Sequence, residues 1–154
     1  MPRPRLTVSV QRGTRASDAP SRAQIIQFVR AALTCDAQIT VRIVNEMEGR
    51  QLNYHYRHKD YATNVLSFPY QAAPEVQGDL VLCAPVVTRE ARAQGKASIA
   101  HYAHLIVHGL LHLQGYDHEI EAAASLMEAR EIEIITGLGF TNPYILGTEL
   151  QNHG

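Results

Sequence analysis

Alternation of apolar and polar residues marks four strands along the chain. The runs lie at about residues 6–10, 38–44, 65–68 and 79–83. The first two alternate with β-branched residues, as expected of strands with one buried face. The last two are short apolar runs bounded by Pro69 and Gly78, which predicts two strands joined by a longer loop.

Five segments have helical signals, namely capping residues, apolar spacing near 3.6 residues and terminal glycines. They lie at about residues 20–33, 46–56, 85–94, 99–114 and 119–136. Ser17 and Pro20 offer the first helix start, and Asn45 with Glu48 three residues later predicts a capping box for the second. Ser98 is expected to cap the fourth helix. The fifth has apolar residues at helical spacing, at Ala122, Ala123, Leu126, Met127, Ile134 and Leu138.

These elements predict an α+β fold in one domain over residues 1–154. The expected architecture is a small mixed four-stranded sheet with about five helices, most of them on one face. A chain of 154 residues can bury a core of its own, and a hydrophobic content of 45% is typical of a folded protein.

Charge and cysteine usage indicate the setting of the protein. Cys35 and Cys83 stand far apart without a CxxC pair, so both are interpreted as free core thiols in a reducing compartment. Neither a signal-peptide region nor a run of about 18 uncharged apolar residues is visible, so a cytoplasmic protein without membrane contact is expected. A formal net charge of −1 gives no general attraction for nucleic acid, and any such contact is expected to be local.

Histidines follow one side of the predicted fourth helix. They are His101, His104, His108 and His112, which fall within an arc of about 80° at 100° per residue. His108 and His112 are one turn apart and can share one ion, and Gly115 can end the helix and turn His118 back toward it. Three imidazoles leave an open fourth position, as in catalytic zinc sites. The sequence therefore predicts a metal site, with zinc the expected ion, on a buried helix and the following turn.

The other polar residues of this segment leave alternatives open. The spacing HxxxHxxGxxH is that of metzincin zinc peptidases, but these place a glutamate general base where this chain has Gly109. A zinc peptidase is therefore one alternative, and a non-catalytic binding module in which the metal only fixes the fold is another. His101 and His104 are interpreted as satisfied polar residues, with contact to a ligand or substrate as the alternative. Asp117 is expected either to orient a ligand or to serve the turn.

Several blocks of this sequence resemble those of a known family. Residues 108–118, HGLLHLQGYDH, are similar to the signature HGxLHLxGYDH of the YbeY family of bacterial rRNA-maturation endoribonucleases. Residues 52–60 (LNYHYRHKD), 63–69 (TNVLSFP) and 78–83 (GDLVLC) resemble the remaining blocks of that family in the same order. The resemblance extends from about residue 41 to residue 144.

The resemblance implies an activity and its partners. It implies a one-domain α+β fold and a metal-dependent, single-strand-preferring endoribonuclease that acts in small-subunit (16S-type) rRNA 3′-end maturation and ribosome quality control. Single-stranded and ribosomal RNA are the implied substrates, and small ribosomal subunit proteins and assembly factors the implied partners. With this resemblance, the non-catalytic alternative becomes a ribosome-assembly module. Arg57 corresponds to the functionally important arginine of the family, where a guanidinium can hold a phosphate. The attacking group is left open between a metal-activated water and the ribose 2′-hydroxyl.

Overall fold

Four strands and five helices follow one another in the part of the chain that the computed structural model describes, residues 3–116 and 120–145. They are β1 (Leu6–Arg12), α1 (Arg22–Ala32), β2 (Asp36–Val44), α2 (Glu46–Arg57), β3 (Val65–Gln71), β4 (Glu75–Cys83), α3 (Ala84–Ala93), α4 (Ser98–Leu113) and α5 (Glu121–Gly137). No helix in these described ranges combines the length and apolar character needed to cross a membrane.

The strands form one mixed sheet in the order β1-β2-β4-β3. β1, β2 and β4 are parallel, and β3 runs antiparallel to β4 at the edge. Ile39, Val41 and Ile43 alternate along β2 and are buried on the face that meets α1 and α4. The predicted α+β class with a mixed four-stranded sheet and five helices is therefore confirmed.

A smaller apolar cluster covers part of the opposite face of the sheet. Its buried members include Leu66, Val81 and Cys83, and Leu52 of α2 packs against them. Helix α2 therefore packs on the face of the sheet opposite to α1 and α4. Both cysteines are free thiols, and Cys35 packs half-buried at the margin of the main core.

The ends of the first two helices differ in part from the predictions. Helix α1 begins later than expected, because Ser21 is the N-cap and forms a complete capping box with Gln24. Asn45 caps α2 as predicted, accepting from the backbone N–H of Glu48 at 2.8 Å. The Glu48 carboxylate instead accepts from the Arg42 guanidinium at 2.7 and 2.9 Å. The predicted capping box of α2 is therefore only half formed.

The connection between β3 and β4 is shorter than predicted. Only residues 72–74 join the two strands, because both strands continue past the expected breakers. Pro69 lies within β3, at an edge where a missing N–H is tolerated, and the pairing shifts register beside it. Gly78 lies inside β4.

Ser98 does not cap α4 as predicted. It is the first residue of this helix, and the N-cap residue is Ala97, which forms no side-chain cap hydrogen bond.

Candidate active site

Helix α4 forms one wall of a cavity of about 480 Å³. The end of α2 and the edge strand β3 with the residues before it form the other walls. Polar lining residues are Arg57 and Tyr56 from α2, Thr63 and Asn64 from the segment leading into β3, Ser67 from β3 itself, His104, His108 and His112 from α4, and Tyr144. A space of this size is typical of sites that bind a small ligand or one part of a larger one. The cavity thus joins Arg57 to two of the three predicted metal ligands.

A buried carboxylate lies behind the histidines. Glu131 of α5 is 0% exposed, and it accepts from His108 Nδ1 at 2.5 Å and from His104 Nε2 at 3.2 Å. The hydroxyl of Tyr144 donates to the same carboxylate. Burial opposes ionisation, but the hydrogen bonds from these three side chains outweigh it and lower the pKa of Glu131 to about 2. The group is therefore an ionised acceptor near neutral pH.

These hydrogen bonds select the tautomers of the two predicted ligands. Because ionised Glu131 only accepts, His108 donates from Nδ1, and the neutral form of this imidazole has its lone pair on Nε2. His112 donates from Nδ1 to the backbone carbonyl of Tyr116 at 3.2 Å, so it has the same tautomer. A histidine held through Nδ1 in this way is the usual form of a metal-ligating imidazole.

His104 has a different role from its two neighbours. Its Nε2 donates to Glu131, and its Nδ1 is buried without a hydrogen-bond partner among the described residues. The side chain is only 14% exposed. His104 and His108 therefore share one carboxylate acceptor, and contact of His104 with a ligand or substrate stays a prediction.

A second buried network lies one turn earlier on α4. His101 Nε2 bonds to Glu90 of α3 at 2.8 Å, and the same carboxylate oxygen accepts from the Asn64 side chain at 3.0 Å. Burial lowers the pKa of His101, so this imidazole is neutral. His101 is thus a buried core histidine that is bonded through Nε2 only, since its Nδ1 has no hydrogen-bond partner among the described residues. Its carboxylate partner also binds Asn64 at the edge of the cavity.

The packing around Gly109 explains why no glutamate follows His108. A β-carbon at this position would lie 2.6 Å from Cδ2 of Leu80, which is fully buried in β4. A side chain at position 109 would therefore have to displace Leu80 in an interior that is packed without spare volume. The peptidase-type general base could be placed there only at the cost of this core packing.

Arg57 reaches the cavity as an exposed side chain at the end of α2. It makes no hydrogen bond or ion pair with another described residue. The nearby Asp60 is bound instead by Arg50, at 2.8 and 3.0 Å. The acidic residue of this segment is therefore neutralised on the outer side of α2, and the Arg57 charge is left for a ligand in the cavity.

The third predicted ligand, His118, and Asp117 lie outside the described residues. Within residues 3–116 and 120–145, no group of three or more potential metal-ligating side chains comes together. The structure therefore places two of the three imidazoles on one cavity wall, and the complete ligand set stays a prediction. Gly115, with φ +101°, ends α4 in the left-handed conformation that the predicted turn requires.

Glu131 and Tyr144 are the site residues that the sequence reasoning missed. The buried face of α5 consists of Met127, Glu131, Ile134 and Ile135, whereas Leu126 is 69% exposed. One charged residue within an otherwise apolar helical stripe was a signal for a buried, hydrogen-bonded carboxylate. Tyr144 lies in an irregular segment and gave no such signal.

A solved structure and curated sequences are similar to this chain. The solution structure of TM1509 from Thermotoga maritima has the same fold at a TM-score of 0.53, with 22% identity over 86% of this chain and 92% of that chain. A protein of Methylibium petroleiphilum named endoribonuclease YbeY is 57% identical, over 92% of this chain and 96% of its own length. Its namesake in Albidiferax ferrireducens is 56% identical, over 90% of this chain and 97% of its own length.

The family signature agrees with these pairwise similarities. The sequence profile of endoribonuclease YbeY matches residues 13–139, which include α2, β3, α4 and most of the polar cavity lining. The chain therefore belongs to the endoribonuclease YbeY family.

Proposed function

We propose that this protein is a metal-dependent endoribonuclease that cleaves single-stranded RNA. Its proposed role is in small-subunit (16S-type) rRNA 3′-end maturation and ribosome quality control in the cytoplasm. The observation that carries the proposal is a single cavity lined by His108 and His112, which both donate from Nδ1, and by Arg57, which has no ion-pair partner in the described part of the chain. Membership of a family whose members are named endoribonucleases supplies the reaction class.

Zinc is the metal that these residues suit best. His108, His112 and His118 would hold the ion, and neutral imidazoles are ligands that zinc prefers. The chemistry supplied by zinc in such a set is charge stabilisation at a phosphoryl oxygen and activation of the attacking group. Glu131 fixes the His108 ring, and the Tyr116 carbonyl fixes that of His112, so that neither ligand has to reorient on binding.

Arg57 is proposed to bind the phosphate at which cleavage occurs. A guanidinium donates two parallel hydrogen bonds to phosphate oxygens, and its charge stabilises the negative charge that develops in the transition state. Because Arg50 already neutralises Asp60, no carboxylate of this segment competes for Arg57.

Targeting to the ribosome is proposed to come from protein partners. With a formal net charge of −1, the chain lacks the broad basic surface that drives tight sequence-independent RNA binding. Small ribosomal subunit proteins and assembly factors would therefore bring the substrate to the cavity. The peptidase alternative is disfavoured because position 109 is a glycine, and a glutamate there would displace the buried Leu80.

Cleavage of a defined RNA tests the proposed reaction. Purified protein loaded with zinc is expected to cleave an unstructured oligonucleotide much faster than the same oligonucleotide annealed to its complement, because a cavity of this size does not admit a duplex. Cleavage should stop on chelation of the metal and return with added zinc. The control is an unstructured peptide under the same conditions, which should stay intact. Equal cleavage of paired and unpaired RNA would contradict the strand preference, and cleavage of the peptide alone would favour the alternative.

Glu131→Gln is expected to weaken zinc binding by about 10–100-fold, as loss of an outer hydrogen-bond partner usually does. Glutamine has the same size, but it has one carbonyl oxygen for two imidazole donors, so one of His104 and His108 loses its acceptor. The dissociation constant is measured by competition with a chelator of known affinity. Glu128→Gln, an exposed neighbour on α5, is the matched control and should bind zinc like the parent. Equal affinities of both variants would remove Glu131 from the site.

A further inference from the structure

An exposed aromatic ring stands beside Arg57 at the mouth of the cavity. Tyr56 is 48% exposed although it belongs to the cavity lining. Its ring lies 4.4 Å from that of Phe68, centroid to centroid, with 48° between the planes. Phe68 is half-buried in β3 and supports Tyr56 from one side. The result is a ring that is restrained on one side and open to solvent on the other.

An aromatic ring next to an unpaired cation is the combination by which proteins hold single-stranded nucleic acid. Each base offers a π-face for stacking, and each phosphate offers a charge to a nearby arginine. Because Tyr56 and Arg57 are adjacent in sequence and line the same cavity, both can contact one short stretch of RNA. Support from Phe68 reduces the entropy that Tyr56 loses when a base stacks on it.

We propose that Tyr56 is a stacking platform for a base next to the scissile phosphate. The inference rests on the proposed function and adds a binding residue to it. It also gives a physical reason for single-strand preference, since the faces of a paired base are already covered by its neighbours in the duplex. Only an unstacked base can lie on Tyr56 while its phosphate contacts Arg57.

Other exposed tyrosines lack this combination of features. Tyr54 lies on the outer side of α2, borders a different cavity and is 51% exposed. Tyr61 is 57% exposed and does not line the cavity. Tyr70 donates its hydroxyl to Asp79 at 2.9 Å, which places a carboxylate beside that ring. Tyr144 is exposed and lines the cavity, but its hydroxyl is bound to the buried Glu131 and its ring contacts His104. Tyr56 is therefore distinguished by its place next to Arg57, and Tyr54 provides a matched control on the same helix.

The test combines protein variants with RNA that lacks one base. The probe is an unstructured oligonucleotide, used intact and with one abasic site placed in turn at each nucleotide around the cleavage position. Binding is measured with chelated, non-cleaving protein, and cleavage with zinc-loaded protein. The variants are Tyr56→Leu, which keeps the apolar contact with Phe68 but has no ring, Tyr56→Phe, which keeps the ring, and Tyr54→Leu.

Stacking on Tyr56 predicts a specific pattern across these measurements. Tyr56→Leu should bind intact RNA about 5–150-fold more weakly, the range for loss of one stacked base, whereas Tyr56→Phe and Tyr54→Leu should stay within about twofold of the parent. Removal of the base at one position should weaken RNA binding by the parent to a similar extent. In Tyr56→Leu, removal of the same base should lower the affinity little further, because the stacking contact is already lost.

Each contrary outcome identifies which proposal fails. Stacking is overturned if Tyr56→Leu binds RNA like the parent. It is also overturned if the loss of affinity from Tyr56→Leu and the loss from the abasic site are additive. In both cases, RNA cleavage by the parent still supports the proposed function. If Tyr56→Leu melts at a lower temperature, the abasic scan on the parent decides, and the absence of a position-specific loss overturns the inference. A parent that neither binds nor cleaves single-stranded RNA overturns both proposals.

Discussion

His112→Ala is expected to abolish stoichiometric zinc binding and, with it, RNA cleavage. The variant removes one of three predicted ligands. Among the described residues, only His108 is held in the same tautomer at this cavity, so no other described histidine is placed to replace His112. The loss of affinity should exceed the 10–100-fold that is typical for an outer hydrogen-bond partner, because a direct ligand bond is lost. Elemental analysis of the purified variant, with cleavage of single-stranded RNA in parallel, measures both effects.

His55→Ala is the matched control for this variant. His55 is an exposed histidine of α2 that does not line the site cavity, so its loss should leave both zinc content and cleavage unchanged. The circular dichroism spectrum should show that both variants keep the helical content of the parent. Full zinc occupancy in His112→Ala would show that the site is not built from His108, His112 and His118.

The elements of this fold follow from local patterns, but some of their ends do not. Alternating β-branched residues and the Asn45 cap act over a few residues, so the sequence alone was enough to place β2 and α2. The extent of β3 depends instead on its position at the sheet edge, where Pro69 loses no hydrogen bond. No local signal reveals which strand will be the edge, and the β3–β4 connection was therefore predicted too long.

The site shows the same division between local and distant interactions. The i, i+4 spacing of His108 and His112 is a property of one helix, so the sequence predicts it directly. Glu131 comes from α5, and only the packing of α5 on α4 brings its carboxylate to His104 and His108. Arg57 entered through the family resemblance, because nothing in its local sequence distinguishes it from other exposed arginines. Its common cavity with the histidines is a result of the tertiary structure.

The charges around the cavity explain why one arginine differs from its neighbours. Arg50 binds Asp60, and Arg89 binds Glu46 at 2.8 Å, so both guanidinium groups are engaged on the surface. Arg57 has no acidic partner in the described ranges, and its side chain lines the cavity. The site therefore combines a buried, satisfied anion behind the histidines with an available cation across the cavity, an arrangement suited to an anionic substrate.

Arg57→Ala is expected to lower the rate of RNA cleavage by about 10²–10³-fold, as loss of one preorganised donor to a developing charge usually does. Zinc content and melting temperature should stay those of the parent, because the side chain is exposed and forms no hydrogen bond or ion pair with another described residue. Single-turnover cleavage of unstructured RNA, at enzyme concentrations above saturation, separates this effect on the chemical step from weaker binding.

Two further variants distinguish phosphate recognition from a general effect of charge. Arg57→Lys should recover only part of the lost rate, because an ammonium group cannot reproduce the two parallel hydrogen bonds of a guanidinium. Arg89→Ala removes an exposed arginine that is already paired with Glu46 and should cleave like the parent. If Arg57 were only an exposed charge at the end of α2, Arg57→Ala and Arg89→Ala would cleave at the same rate. Equal rates, with normal zinc content in both proteins, would exclude Arg57 from the reaction and leave the histidines as the only supported part of the site.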